Sequence, residues 1–279
     1  MWRIIGLLIA LIAPLAGAEA GAAPPIARAP AMFVVAFGLS NESNVFRKEA
    51  TKSARIVADA FAVKSAPIVR ANYGAHSNAT MPDIRQTLKS VGAAMNSDDI
   101  LFLIVTSHGN RNGAAITSDA DNEFLSPARL SGLLSVSHIK RRVIVVSACY
   151  SGVFGEMLAD PETLVITAAD AWHPSFGCGV DDEWTYFGEA FFRQALPVSG
   201  TLEQAFKYAE QIVYWREMWH GYDHSNPQMS GGEAIRPLLA IHRGGPEGGS
   251  RLGALEPFEA PEWARLRGAA SEAIVVPSR

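Results

Sequence analysis

The chain has 279 residues, 48% hydrophobic and 19% charged, which is enough apolar mass for a sizeable core. Lys plus Arg number 24 and Asp plus Glu 28, a net charge of −4 that excludes a basic nucleic-acid-binding surface and an acidic disordered chain. Two cysteines exclude a disulfide framework and a multi-cysteine zinc site.

Residues 1–20 read as a signal peptide. Arg3 supplies a positive start, Ile4 to Ile12 an apolar run, and Ala18-Glu19-Ala20 a small-x-small cleavage pattern. The alternative, an uncleaved anchor, is interrupted by Pro14 and Gly17 and is short for a span. No later stretch reaches about eighteen consecutive apolar residues. The expectation is a periplasmic or secreted protein, without stable membrane insertion after cleavage, in an oxidising compartment. Residues 21–31 are an Ala/Pro-rich linker.

Met32 to Phe37 (MFVVAF) is a continuous apolar run bounded by Gly38, as a strand buried on both faces requires. Val45 to Val63 predicts a helix with Phe46, Ala50, Ala54, Val57, Ala58 and Phe61 on one side. Ala66 to Ala71 predicts a short strand. Thr80-Met81-Pro82-Asp83 marks a helix start, with Thr80 as N-cap and Asp83 facing the helix dipole. Asp99 to Thr106 (DILFLIVT) is the most hydrophobic strand, and a polar loop from Asn110 to Asn122 follows it. Ser126-Pro127 opens a helix to about Leu134. Arg142 to Ala148 and Thr163 to Ala168 predict strands. Thr185 to Leu196 and Thr201 to Trp219 predict helices, the second opened by a Thr201…Gln204 capping box.

About five strands, each followed by a helix, predict an α/β fold with a mainly parallel sheet and helices on both faces. The compact domain spans 32–243. Residues 244–279, rich in Gly, Pro, Ala and Arg, are expected to form a flexible C-terminal tail, with Pro261 to Ala273 as a lone amphipathic helix.

In such sheets, sites lie beyond the carboxyl ends of the strands. His108 and Cys149 each directly follow an apolar strand, and one crossover joins them. Such a crossover usually makes its two strands neighbours, so both side chains emerge at one edge. An imidazole beside a thiol can act as base and then acid for a cysteine nucleophile. The amides of Gly109 and Cys149, just past their strands, could receive an oxyanion. Taken singly, Cys149 reads more readily as a small buried hydrophobe, and His108 more readily as a loop histidine, than as catalysts. Their joint placement, with Gly109 and Gly152 alongside, singles them out.

The segments ILFLIVTSHGN and VIVVSACYSG resemble the His-Gly and Ala-Cys blocks of the legumain-type cysteine peptidases, peptidase family C13, and most of all its bacterial secreted members. The resemblance runs from Met32 to Trp219 and is also strong at WTYFGEAFF (Trp184 to Phe192). It implies a caspase/hemoglobinase-like fold, His108 as general base and Cys149 as nucleophile, with Gly109 and Cys149 giving oxyanion-hole amides. It also implies that Asn41, in GLSNESNVFR, orients the histidine; by itself Asn41 reads equally as a helix cap or loop residue. Legumains carry Glu two residues before the nucleophile, where it helps to read an asparagine side chain. Here Ser147 holds that substrate-binding position, so an asparagine preference does not carry over. Asp181 and Asp182, with Glu183, form an acidic cluster that either lines a pocket for Asn, Lys or Arg or is a solvated loop.

The function expected is a cysteine-type endopeptidase with a polypeptide substrate, a thioester acyl-enzyme and a His-Cys dyad. A transpeptidase on the same acyl-enzyme and a catalytically silent caspase-like binding module are the alternatives. No cofactor, metal or nucleic acid is called for, and the sequence leaves the oligomeric state unknown. A metal-dependent hydrolase would draw on His220, Asp223 and His224, but Gly221 interrupts their helical spacing.

Overall fold

The computed structural model describes residues 30–119 and 122–241. The signal peptide, most of the linker and the C-terminal tail expected above lie outside the described residues.

The first half of the chain builds one side of the sheet. Strand β1 (Met32–Gly38) leads through helix α1 (Asn44–Ala60) to β2 (Ile68–Tyr73), which pairs with the two-residue strand β3 (His76–Ser77). Helix α2 (Met81–Ala94) starts as its sequence dictates: Asp83 Oδ2 accepts the Thr80 N–H at 3.0 Å, and Pro82 sits where no amide is needed. Strand β4 (Ile100–Thr106) is buried along its whole length.

The expected loop from Asn110 to Asn122 is largely folded. It belongs to an antiparallel three-stranded sheet of β5 (Gly109–Asn110), β6 (Gly113–Thr117) and β7 (Asn122–Leu125). Its apolar content is slight, but Ala114, Ile116 and Leu125 are buried, and Gly113 at φ +134° supplies the turn. Helix α3 (Pro127–Val136) is capped by Ser126, whose hydroxyl accepts the Arg129 N–H at 3.2 Å. Strand β8 (Arg141–Ser147), the short helix α4 (Gly152–Leu158) and strand β9 (Thr163–Thr167) follow.

The helix expected from Thr185 begins as α5 (Tyr186–Gly188) and continues as a π-helical stretch over Glu189–Ala195. Helix α6 (Leu202–His220) has Thr201 Oγ1 accepting the Gln204 N–H at 3.2 Å. The reciprocal half of the capping box is displaced by one residue, because Gln204 Oε1 takes the Gly200 N–H at 3.0 Å. Strand β10 (Gln228–Gly231) has no apolar run to announce it; it is an antiparallel edge strand against β9.

The main sheet has seven strands in the order β10-β9-β8-β4-β1-β2-β3, with parallel pairing from β2 through β1, β4 and β8 to β9. Alternation along each strand divides the core. Val34, Ala36, Phe102, Ile104, Val143 and Val145 meet α1, the π-helical stretch and α6 on one face. Val35, Phe37, Leu101, Leu103, Ile144 and Val146 meet α2, α3 and α4 on the other. Each large aliphatic or aromatic side chain enclosed this way contributes about 1.5–3 kcal/mol of burial. The result is a mostly parallel sheet between two helical layers, the caspase-like α/β arrangement.

Candidate active site

Strands β4 and β8 are parallel neighbours in register, with Thr106 opposite Ser147. One residue further on, the Ser107 N–H still bonds the Ser147 carbonyl at 3.1 Å. His108 and Cys149 each stand two residues past the matched pair, so the ladder delivers both to one level at one edge. The backbones then touch. A Cβ placed on Gly109 would lie 2.4 Å from the Cys149 carbonyl oxygen and 3.4 Å from its nitrogen. Glycine at 109 is what allows this approach.

Each side chain is held by its surroundings. The His108 ring meets Phe46 edge-on at 4.7 Å, and its carbonyl accepts the Ala115 N–H at 2.8 Å from β6. His108 Nε2 lies 3.5 Å from Glu42 Oε2, a carboxylate on the loop after β1. Cys149 Sγ donates to the Ser175 carbonyl at 3.3 Å, and the Ser175 N–H points back at the sulfur from 3.4 Å. Both cysteines are free thiols.

The chain beyond Cys149 is tightly turned. Tyr150 adopts a left-handed φ of +58°, a strained setting for a bulky residue, and its N–H bonds the His173 carbonyl at 3.0 Å. Gly152 packs so closely on Asp170 and Ala171 that a Cβ would meet the Ala171 nitrogen at 2.4 Å. Asp170 organises that facing loop by accepting from the Trp172 N–H at 2.7 Å, the His173 N–H at 2.9 Å and the Asn226 amide at 3.1 Å, with His173 Nδ1 2.7 Å from Oδ2. Partial burial works to raise its carboxyl, but these hydrogen bonds outweigh it and hold the group below the usual carboxylate range. Across the edge, the Arg111 guanidinium lies over the Trp172 ring at 3.9 Å, which ties the hairpin after His108 to the loop after β9.

The remaining residues singled out in the sequence take other places. The Asn41 amide donates to Asp119 Oδ1 at 3.1 Å and its backbone N–H bonds Thr117, so Asn41 fastens the β1 loop to β6. It is the next residue, Glu42, that faces the imidazole. Ser147 is buried, with its hydroxyl 3.0 Å from Thr185 Oγ1. Asp182 closes its own turn by accepting the Gly179 N–H at 2.7 Å, and Asp181 is exposed. Glu183 accepts from Lys48 and from Lys52, bonds that pull its carboxyl down to about 2. His220 bonds the Arg216 carbonyl through Nδ1, whereas His224 Nδ1 faces Glu217, so the HGYDH histidines diverge. Among the described residues no cluster of His, Cys, Asp and Glu could hold a metal ion.

Sequence reasoning missed Glu42, Ser175 and the Asp170–His173 pair, because loops carry them to the edge. The spacing of Asp170 and His173, three apart after an apolar strand, was the one available signal. A surface concavity lined by His138, Arg142, Asp160 and Glu162 lies at the opposite, N-terminal end of β8, away from these groups.

A model of the peptidase C13 family matches residues 78–235, more than half of the chain and both strand-end residues. Among curated proteins nothing matches the chain.

Proposed function

This chain belongs to the peptidase C13 family, which implies cysteine peptidase activity, and we propose that it cleaves polypeptides with Cys149 as nucleophile and His108 as general base. The observation that carries this reading is the contact between Gly109 and the Cys149 backbone at the matched ends of β4 and β8.

His108 takes the thiol proton, and the sulfur attacks the scissile carbonyl. The oxyanion is received by the Gly109 and Cys149 N–H groups, adjacent donors fixed before the substrate arrives. The imidazolium returns its proton to the departing amine and leaves a thioester on Cys149. Water, deprotonated by His108, then releases the acid. Glu42 Oε2, 3.5 Å from His108 Nε2, helps to orient the ring, and only modestly because its side chain is 60% exposed. Asn41 acts on the histidine only through the loop it fastens. We place the reaction outside the cytoplasm, on the strength of residues 1–20, and assign the acidic cluster at 181–183 no pocket role beyond shaping its loop.

The test is digestion of a mixed peptide library in ¹⁸O-labelled water, read by mass spectrometry. New carboxyl termini carrying one ¹⁸O, absent with Cys149→Ala, support hydrolysis through this cysteine. Joined peptides without label would identify transfer to an amine instead. Cleavage that survives Cys149→Ala contradicts the assignment.

A further inference from the structure

A carboxyl group lies beneath the two strand ends and takes no part in the chemistry above. Glu49, on α1, is wholly enclosed. Its Oε2 accepts the Thr185 N–H at 2.8 Å. Thr185 caps α5: its Oγ1 accepts the Gly188 N–H at 2.9 Å and lies 3.0 Å from Ser147 Oγ. Ser147 and Thr106 are the register partners that end β8 and β4. Both hydroxyls stand close enough to the Glu49 carboxyl to act on its charge, yet Glu49 Oε1 and Thr106 Oγ1 complete no well-formed hydrogen bond. The site is also built to accept this one side chain, since a Cβ on Gly188 would stand 2.1 Å from Glu49 Oε2.

We propose that Glu49 is a positioning residue for the reacting pair, its buried carboxyl keying the last residues of β4 and β8 to each other and to the cap of α5. This rests on the reading of His108 and Cys149 as that pair. The groups that face Glu49 are neutral: Thr106 from β4, Ser147 from β8, and Thr185 from the start of α5. The cations of its own helix, Lys48 and Lys52, are engaged by Glu183. Burial therefore dominates and pushes the carboxyl up. A protonated Oε1 supplies an O–H that Thr106 Oγ1 accepts, which satisfies both atoms. Ionised, the group is a buried charge without a cation, and the strand ends must part to admit water.

The sign follows from linkage. A carboxyl raised in the folded state favours folding below its unfolded pKa, about 4.3, and that contribution is lost as pH rises through the folded value. Glu49→Gln keeps a neutral group of the same shape and should not show the loss.

The experiment uses the full chain carrying Cys178→Ala, so that Cys149 is its sole thiol. Urea midpoints and iodoacetamide alkylation rates are measured from acid to alkaline pH for this parent and for its Glu49→Gln and Glu49→Ala derivatives. The parent's midpoint should fall with rising pH relative to Glu49→Gln, and its alkylation rate should fall behind in the same range. Glu49→Ala should slow alkylation about tenfold through misplacement of the thiol, with the slowing partly restored in Glu49→Gln. Superimposed pH profiles for the parent and Glu49→Gln would overturn the proposal. If the variants do not fold, the infrared carbonyl band of protonated carboxyls decides: a component in the parent that persists to higher pH than the exposed carboxyls supports the proposal, and a band that vanishes entirely with them overturns it. None of these readouts needs a peptide substrate, so failure of the peptidase reading, seen as an enzyme that cleaves nothing, is distinguishable from failure of this proposal, seen as superimposed pH profiles.

Discussion

The two thiols of the chain are set apart by their surroundings. Cys149 sits at a strand end against the Ser175 backbone. Burial, then the neighbouring charge of Cys149, pushes the Cys178 thiol up, which disfavours its thiolate. Cys178→Ala should therefore leave hydrolysis intact under reducing conditions and match or exceed the parent under oxidising ones, as a fluorogenic peptide assay would read. His108→Ala and the double variant with Cys149→Ala should be about equally inactive, because both groups serve one step. Losses that multiplied would assign them separate tasks. His108 and Cys149 were legible in the sequence because each ends an apolar run, and the pleat leaves the next residues at the edge. Glu42, Ser175 and Glu49 were not, since a loop or helix face brings them in from distant positions and no spacing encodes that meeting. Asn41 shows the same limit from the other side: its place after β1 was evident, but its partner Asp119 lies in the hairpin beyond β4.

Two connecting segments meet at the edge, and both can be tested as elements. The β5–β6 hairpin approaches the nucleophile so closely that Gly109→Ala puts a methyl group 2.4 Å from the Cys149 carbonyl oxygen. Backbone must move, and a displacement near 1 Å can cost about 10²-fold in rate. A similar loss is expected in kcat/KM for Gly109→Ala, with the circular dichroism spectrum unchanged; near-native turnover would mean the two loops part without consequence. The loop from Asp170 to Ser175 depends on a carboxylate held below its usual range by hydrogen bonds. Such a group stabilises the fold above its unfolded pKa, about 3.9, and the contribution disappears as pH falls through the lower folded value. Asp170→Asn should thus lower the urea midpoint at neutral pH and converge on the parent in acid. Equal midpoints at neutral pH would show that the loop does not rely on the charge. In sequence the hairpin has only the pattern of a polar loop, since its strands are short and alternate weakly. Edge strand β10 escaped for the same reason, lacking any apolar run.

On the scale of the whole molecule, the alternation of strand and helix was plain in the sequence because parallel strands buried on both faces must be continuously apolar, as in β4 and β8. That pattern sets the sheet, the sheet sets the register of Thr106 with Ser147, and the register places His108 beside Cys149. No helix among the described residues is long and apolar enough to cross a membrane. The order of strands across the sheet is not written in any local stretch; it emerges from which faces α1 and α6 cover together. The central claim, that this arrangement makes Cys149 the nucleophile of a peptidase, meets its most direct test in a titration. The protein is treated with limiting iodoacetamide near neutral pH, and the modified thiol is mapped by peptide mass while residual cleavage of the peptide library is measured. One carboxamidomethyl group on Cys149, appearing in step with loss of cleavage and ahead of any label on Cys178, is the predicted result; full modification of Cys149 with cleavage undiminished would contradict it.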